Sequence, residues 1–547
     1  MRQRIALLSL VIASPLAAQT PLSSAQVSRI DSIFAKYASP DVPGCALGVS
    51  RRDTVILERA WGSADLEQSV AITPATIFEG GSVSKQFTAA AIFRLAQQGK
   101  LALDSSVRKY LPELPAYTSP ITLRHMIHHT SGFRDWGTVM AIAGWPRGTR
   151  TYTQAHVLDI MARQTALNYP VGTEYLYSNS NYNLLAMIAE RVSGKTLAEF
   201  TRSEIFEPLG MTSSGWRDDY ARIVKGRAQA YGGADKNWRL NMPFENVYGN
   251  SSLLTTVGDL LKWSANFGSH RIGGDEFVAM ELDRGKLSTG RVITYAGGVM
   301  VDSVLGTREI MHDGATAGYR AFLARYPDAG YAVAMLCNAG NVDPVPMGRA
   351  VARVVLPASP TAPTPRPDMI GVTVSEEKLK PMLGSYRLVR SDDPLTLVLE
   401  GGRLRITDGG PLLVAVSDRP FTTPSGRTHL LWDSGVQGKR GTFRVFVDAG
   451  DTTQYEAIGA PLASDRFADY AGEYQSAEAD AKLSILVEKG EVIMFGRPSD
   501  RTPLKPIYAD GFSARGSFIR FTRKDGKVDG FLVTSGRVRR LRFDKTS

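Results

Sequence analysis

Cysteine is nearly absent from this chain: only Cys45 and Cys337 occur among 547 residues. Two thiols make neither a disulfide framework nor a cysteine metal cluster. Both lie in apolar, strand-like runs (residues 44–50 and 331–338), so two buried free thiols are expected, and an oxidising compartment would allow one bridge between them. Long apolar runs are missing as well. The stretch from Ile5 to Ala13 is too short to cross a bilayer, and no other stretch approaches the required length. There is no block of Lys or Arg and no interleaving of basic with aromatic residues, so the formal net charge of +10 does not point to nucleic acid. Gly pairs such as Gly232-Gly233 and Gly297-Gly298 do not join a strand to a helix with phosphate-loop spacing. What remains is globular composition, 43% apolar and 22% charged, in a chain long enough for two to four domains.

The N-terminus reads as an export signal over residues 1–18. Arg2 and Arg4 precede the apolar run, which ends in the small residues of Pro15-Leu16-Ala17-Ala18. The mature protein is then expected outside the cytoplasm, periplasmic or extracellular. Its surplus positive charge is either solvated or drawn to an anionic cell envelope.

Further on, periodicity predicts a helix over 23–37, strands over 44–50 and 54–61, and a helix over 82–100. Helices over 184–192 and 197–206 and strands over 309–312, 320–326 and 331–337 follow. A sheet begun by the first strands and completed by the last, with helices between, is an α+β domain spanning 23–355. Prolines 357, 360, 363, 365 and 367 predict an extended linker over 356–375. An internal repeat lies beyond it. An offset of 88 carries Gly384 and Tyr386 onto Gly472 and Tyr474, and Leu395, Leu397 and Leu399 onto Leu483, Ile485 and Val487. The same offset carries Gly402 onto Gly490 and Phe443 onto Phe531. Two small antiparallel β-barrels or β-sandwiches, 376–460 and 461–547, are expected.

Three short pieces carry chemistry. Ser82-Val83-Ser84-Lys85 opens a helix, which puts the Lys85 amine within reach of the Ser82 hydroxyl and the helix dipole beside it. Lys85 can then accept the serine proton, or lower the pKa of a neighbouring tyrosine. A second Ser-x-x-Lys, Ser375 to Lys378, sits among charges and opens no comparable helix. Tyr177-Ser178-Asn179 precedes another helix; Tyr177 needs a cation beside it to act as a base, and Asn179 is placed to hold the amine. Tyr248-Gly249-Asn250 is set aside as a decoy on its flanks. On a strand, His312-Asp313-Gly314 offers a glycine against which substrate backbone can lie. The amides of Ala315 and Ser82 would form an oxyanion hole.

In this order the pieces resemble the serine β-lactamase and penicillin-binding-protein superfamily, in its class C β-lactamase-like and D-aminopeptidase/esterase branch. EGGSVSKQFTAAAI at 79–92, HHTSG at 128–132, PLGMTSS at 208–214 and NSSLLTTVGDLLKW at 250–263 add to the likeness, which covers about residues 25 to 355. The resemblance implies a β-lactamase-like fold with an antiparallel sheet and helices. It also implies acylation of Ser82, proton transfer by Lys85 and Tyr177, and hydrolysis of the acyl-enzyme with Tyr177 as base. Which of the two takes the first proton stays open. His312 stands where class C β-lactamases usually carry Lys, which turns the expectation from β-lactam toward a small peptide or ester substrate. D-aminopeptidases of this superfamily are similar in ending on two small barrels, and a loop of the last one reaches the active site and selects a free amino group. This sequence does not single out such a loop. No cofactor or metal is implied. The rival readings are a zinc site on His125, His128 and His129, a penicillin-binding sensor that acylates without turnover, and an adhesion protein on a dead scaffold.

Overall fold

The computed structural model describes residues 21–546 apart from 235–236, 358–370, 408–409, 425–427, 435–440, 448–451 and 498. The expected signal peptide and most of the proline-rich linker lie outside the described residues. No helix among those residues is long and apolar enough to cross a membrane.

The first helix, α1 (Ser24–Ile33), starts where Ser23 and Gln26 form a reciprocal capping box. Strands β1 (Cys45–Arg51) and β2 (Thr54–Trp61) follow. Helices α2 (Ser84–Gln97), α3 (Asn179–Ser193) and α4 (Val257–Ser269) lie in the middle of the chain. Strands β3 (Met300–Val304), β4 (Thr307–Thr316), β5 (Tyr319–Tyr326) and β6 (Tyr331–Cys337) then lead into α5 (Pro344–Val355). The strands form one antiparallel sheet in the order β3-β4-β5-β6-β1-β2. Its central strands are almost wholly apolar because both faces are covered. On one side Ile30 and Phe34 of the N-terminal segment and Val351 of α5 pack on Met335 and Phe322; on the other, α2, α3 and α4 build the larger core. This is the α+β arrangement expected, with β4 running four residues past the predicted strand end at His312.

Cys45 and Cys337 are directly opposed in the β1–β6 register and joined by a disulfide. The expectation of two free thiols is corrected. Strand register, which sequence does not display, brings their Cα atoms to 4.0 Å.

Two β modules follow. In the first, eight strands running from Gly384–Leu388 to Thr453–Ala457 form one sheet, nearly closed, with Arg403–Ile406 and Val414–Ala415 at its two edges; the second is a closed eight-stranded barrel from Gly472–Ser476 to Val538–Lys545. The repeat is structural. Tyr386 pairs with Leu395 and Tyr474 with Leu483, and each tyrosine hydroxyl donates to the carbonyl four residues before it, Met382 and Tyr470. Phe443 and Phe531 each pack on the tyrosine of their own module, at 5.1 and 4.8 Å between ring centroids.

The barrel is docked on the first domain by polar groups that are themselves buried. Arg134 meets Glu478 at 2.6 Å, and Gln164 and Thr165 also donate to Glu478. Asn168 accepts from the Arg539 amide and donates to the Arg537 carbonyl. Those last bonds fix the turn between the strands Lys527–Ser535 and Val538–Lys545 against the cleft described next.

Candidate active site

Ser82 sits in a 3₁₀ turn, Gly81–Val83, that feeds directly into α2. The turn is clamped from two sides. The Gly80 amide donates to the Leu253 carbonyl, while the Ser84 hydroxyl donates to Gly81 and accepts from the Leu253 amide. Just upstream, Glu79 is buried in an ion pair with Arg217 at 2.7 Å. Ser82 is left half-buried at the head of the helix.

One turn on, Lys85 is fully buried and makes three contacts through Nζ: Ser82 Oγ at 3.2 Å, Asn179 Oδ1 at 3.0 Å and the Asn250 carbonyl at 2.6 Å. Burial, and secondarily the Arg537 guanidinium, holds its pKa well below the ordinary 10.5 of a lysine. A neutral amine has two hydrogens and one lone pair. The two hydrogens match the oxygens of Asn179 and Asn250, neither of which can donate to it, and the lone pair is left facing the Ser82 hydroxyl. The site can therefore hold Lys85 as a base for the serine proton.

Asn179 opens α3, with its backbone amide held by Asp135 Oδ2 at 2.8 Å. Tyr177 lies two residues earlier, its ring 4.8 Å from Lys85 Nζ. Its hydroxyl is buried without a hydrogen bond of good geometry, although Ser82 lies near enough to favour the phenolate. Burial dominates and pushes the Tyr177 pKa up, so at neutral pH this is a protonated hydroxyl. That electrostatic balance favours Lys85 over Tyr177 as the proton acceptor. His129 positions the segment: its Nδ1 accepts from the Ser178 amide and from the Asn181 side chain, which puts the ring proton on Nε2.

The third piece closes the site. At its C-terminal end β4 extends beyond β3, whose pairing stops at Met300–Met311, so residues 312–316 pair on one side only, with β5. Gly314 and Gly81 are needed for close approach. A Cβ on Gly314 would lie 2.0 Å from the Gly80 oxygen and 3.1 Å from the Ser82 nitrogen, and one on Gly81 would lie 2.6 Å from the Ala315 nitrogen. Gly314 thus accommodates the serine turn, where the sequence suggested room for substrate. The backbones of Ser82 and Ala315 come together as an oxyanion pair requires. His312 is buried with both ring nitrogens engaged, Nε2 by the Tyr295 hydroxyl at 3.1 Å and Nδ1 by the Asp313 carbonyl at 2.5 Å. Burial first, then Lys85, pushes its pKa down to about 4, so it is neutral.

All seven residues singled out in the sequence fall in or around this one cleft. Others there were not foreseen. Asn250, set aside with its tyrosine, supplies the carbonyl beneath Lys85, while the Tyr248 hydroxyl turns away to Glu190. Arg537, from the barrel, stands 4.6 Å over the Tyr177 ring. The three histidines of the zinc alternative go to separate tasks: His125 caps a helix at Thr122, His128 bonds the Asp283 carbonyl, and His129 serves Ser178. Lys378 of the second Ser-x-x-Lys is exposed and faces Asp418 at 3.5 Å.

A family model described as Beta-lactamase matches residues 30–356, more than half of the chain. The chain belongs to the Beta-lactamase family. As a member it is a serine hydrolase. A D-aminopeptidase of Brucella canis is 26% identical over 480 residues, which cover 86% of each protein. A D-aminopeptidase of Gluconobacter oxydans is 26% identical over 344 residues, 61% of this chain, and the match spans 63% of that relative's length. Among solved structures, the octameric penicillin-binding protein homologue from Pyrococcus abyssi superposes with a TM-score of 0.55 at 23% identity, covering 79% of this chain and 100% of that one. The D-amino acid amidase from Ochrobactrum anthropi gives 0.51 at 20% identity, covering 61% of this chain and 98% of that one. These likenesses are of fold, and the first extends beyond the β-lactamase-like domain into the β modules.

Proposed function

We propose that this protein is an exported hydrolase of short peptides, amides or esters, of D-aminopeptidase type, working through an acyl-enzyme on Ser82. The observation that carries the reading is Lys85: buried, low in pKa, with its lone pair aimed at Ser82 once Asn179 and Asn250 have taken its hydrogens. Curated relatives of similar layout that carry the name D-aminopeptidase support the substrate class. The N-terminal signal pattern supports export, periplasmic or extracellular.

In the first half-reaction Ser82 Oγ attacks the substrate carbonyl carbon and its proton passes to Lys85. The oxyanion that forms is held by the Ser82 and Ala315 amides. The bond to the leaving nitrogen or oxygen breaks as that atom takes the proton back, relayed by the Tyr177 hydroxyl. In the second, water attacks the ester carbon, gives its proton to Lys85, and Ser82 Oγ leaves with that proton. Tyr177 stays a hydroxyl throughout. This departs from the expectation that it serves as the base for deacylation.

A penicillin-binding sensor would share every group in the first half-reaction and stall before the second. Steady-state and burst kinetics separate the two. We expect continuous release of product from a D-amino acid p-nitroanilide or a nitrophenyl ester, absent in Ser82→Ala. One burst per active site followed by no further turnover supports the sensor and overturns the hydrolase reading.

A further inference from the structure

The turn from Ser535 to Val538 carries one side chain of the barrel into the cleft of the other domain. The Arg537 guanidinium lies 4.6 Å over the Tyr177 ring and 3.7 Å from Asp135 Oδ2. Its backbone is fixed, since the carbonyl accepts from Asn168 at 2.9 Å and from the Asp135 amide at 3.4 Å. Asp135 is a poor counter-ion for it. That carboxylate already accepts from the Asn179 amide, the Thr138 amide and the Thr138 hydroxyl, and 3.7 Å is a long contact. The Arg537 side chain keeps 42% of its surface open to solvent, whereas Lys85 beneath it is buried.

Most other charges near the cleft are spoken for. Arg147 is paired through two nitrogens with Glu245, and Glu174 lies between Arg390 and Arg539. His312 spends both ring nitrogens within the protein. Asp313, next to His312 on β4, is the exception: its charge acts on Lys85 and Tyr177, but it forms no ion pair with Arg537. A half-exposed guanidinium, its nearest carboxylate already engaged, therefore stands beside Tyr177, the group assigned above to relay a proton to the leaving atom.

We infer that Arg537 is a substrate-binding residue that receives a carboxylate carried on the leaving group. The preferred substrate is then a short peptide with a free C-terminal carboxylate immediately beyond the scissile bond. A guanidinium suits this task because its planar fork matches a carboxylate. The same cation repels an ammonium group, so a free amine on the leaving side is disfavoured. This rests on the acyl-enzyme reading above for which side of Ser82 the leaving group occupies.

The test uses a matched pair, D-alanylglycine and D-alanylglycinamide, which differ in one carboxylate. Wild type, Arg537→Gln and Arg537→Lys are compared by the ratio of kcat/KM for the two, which cancels any general loss of activity. Binding of the same pair is measured by calorimetry on Ser82→Ala and on Ser82→Ala with Arg537→Gln. A charge-assisted hydrogen bond at a partly exposed site predicts a preference of about tenfold for the carboxylate in wild type. That preference falls to about one in Arg537→Gln and is partly kept in Arg537→Lys. A ratio unchanged by Arg537→Gln, or a wild-type preference for the amide, overturns the assignment. If neither peptide turns over but the calorimetric preference is present and disappears with Arg537, the subsite stands and the hydrolase reading alone falls.

Discussion

Replacing Gly314 by Ala tests the closed end of the cleft in a way that a change of charge cannot. The added Cβ would lie 2.0 Å from the Gly80 oxygen and 3.0 Å from its carbon, where ordinary contact begins at 3.4 Å. The β4 edge and the serine turn must therefore separate by about 1.4 Å at the oxygen. Both contacts are with backbone, so no side chain can swing aside. The Ser82 and Ala315 amides move apart with them, and one donor loses the oxyanion. A lost oxyanion donor costs about 10²- to 10³-fold in kcat, and overpacking of this size costs about 1–3 kcal/mol of stability. The assay is steady-state hydrolysis of a nitrophenyl ester beside a thermal melt. Gly215→Ala is the control, since a Cβ there meets nothing within 4 Å. A kcat for Gly314→Ala within about threefold of wild type, in a cooperatively melting protein, refutes the close approach and the oxyanion pair built on it; one donor alone is worth far more.

Four further outcomes are expected. Lys85→Met should cut acylation by about 10²- to 10⁴-fold and stabilise the fold at neutral pH. The folded pKa of Lys85 lies below its unfolded value, so that stability gain is full below the folded pKa and fades as pH climbs to 10.5; urea melts at several pH values check it. The alkaline rise of kcat/KM should follow the Lys85 pKa, and Arg537→Gln should move that limb to higher pH because Arg537 lowers it. Glu281 is buried with neither carboxylate oxygen partnered and its pKa raised well above 4.5. Its protonation cost grows from pH 4.5 upward, so Glu281→Gln should stabilise by up to about 3 kcal/mol at pH 7, at 1.36 kcal/mol per unit, and by little below pH 4.5. Reducing the Cys45–Cys337 bridge, which closes a separation of 292 residues, should lower stability by about 2–5 kcal/mol, read from melts with and without reductant.

The parts of the site that sequence displays are those set by local geometry. Ser82 and Lys85 are three residues apart on one helical turn, and Tyr177 and Asn179 flank the start of α3, so spacing alone assigns them. The β modules were legible for a similar reason: Tyr386, Phe443 and their counterparts 88 residues on are core positions of two like folds, and cores restrict residue type. What was missed depends on long-range packing. Arg537 reaches Tyr177 from 360 residues away because polar contacts at Asn168 and Arg134 seat the barrel, and no local pattern marks it. Asn250 contributes a backbone carbonyl, which any residue type would supply, so its side chain gave no signal. The disulfide depends on the pairing of β1 with β6, the first and last strands of the sheet in sequence. For Gly314 the sequence reading of close backbone approach holds but names the wrong neighbour, since its contact is a turn more than 230 residues earlier.

The most direct test of the central claim is intact-protein mass with peptide mapping, after brief exposure of wild type and Ser82→Ala to a nitrophenyl ester, a fluorescent penicillin and a D-alanyl amide. An acyl adduct on the peptide containing Ser82, decaying in wild type and absent in Ser82→Ala, is the predicted result. An adduct on another residue, or turnover that survives in Ser82→Ala, contradicts it.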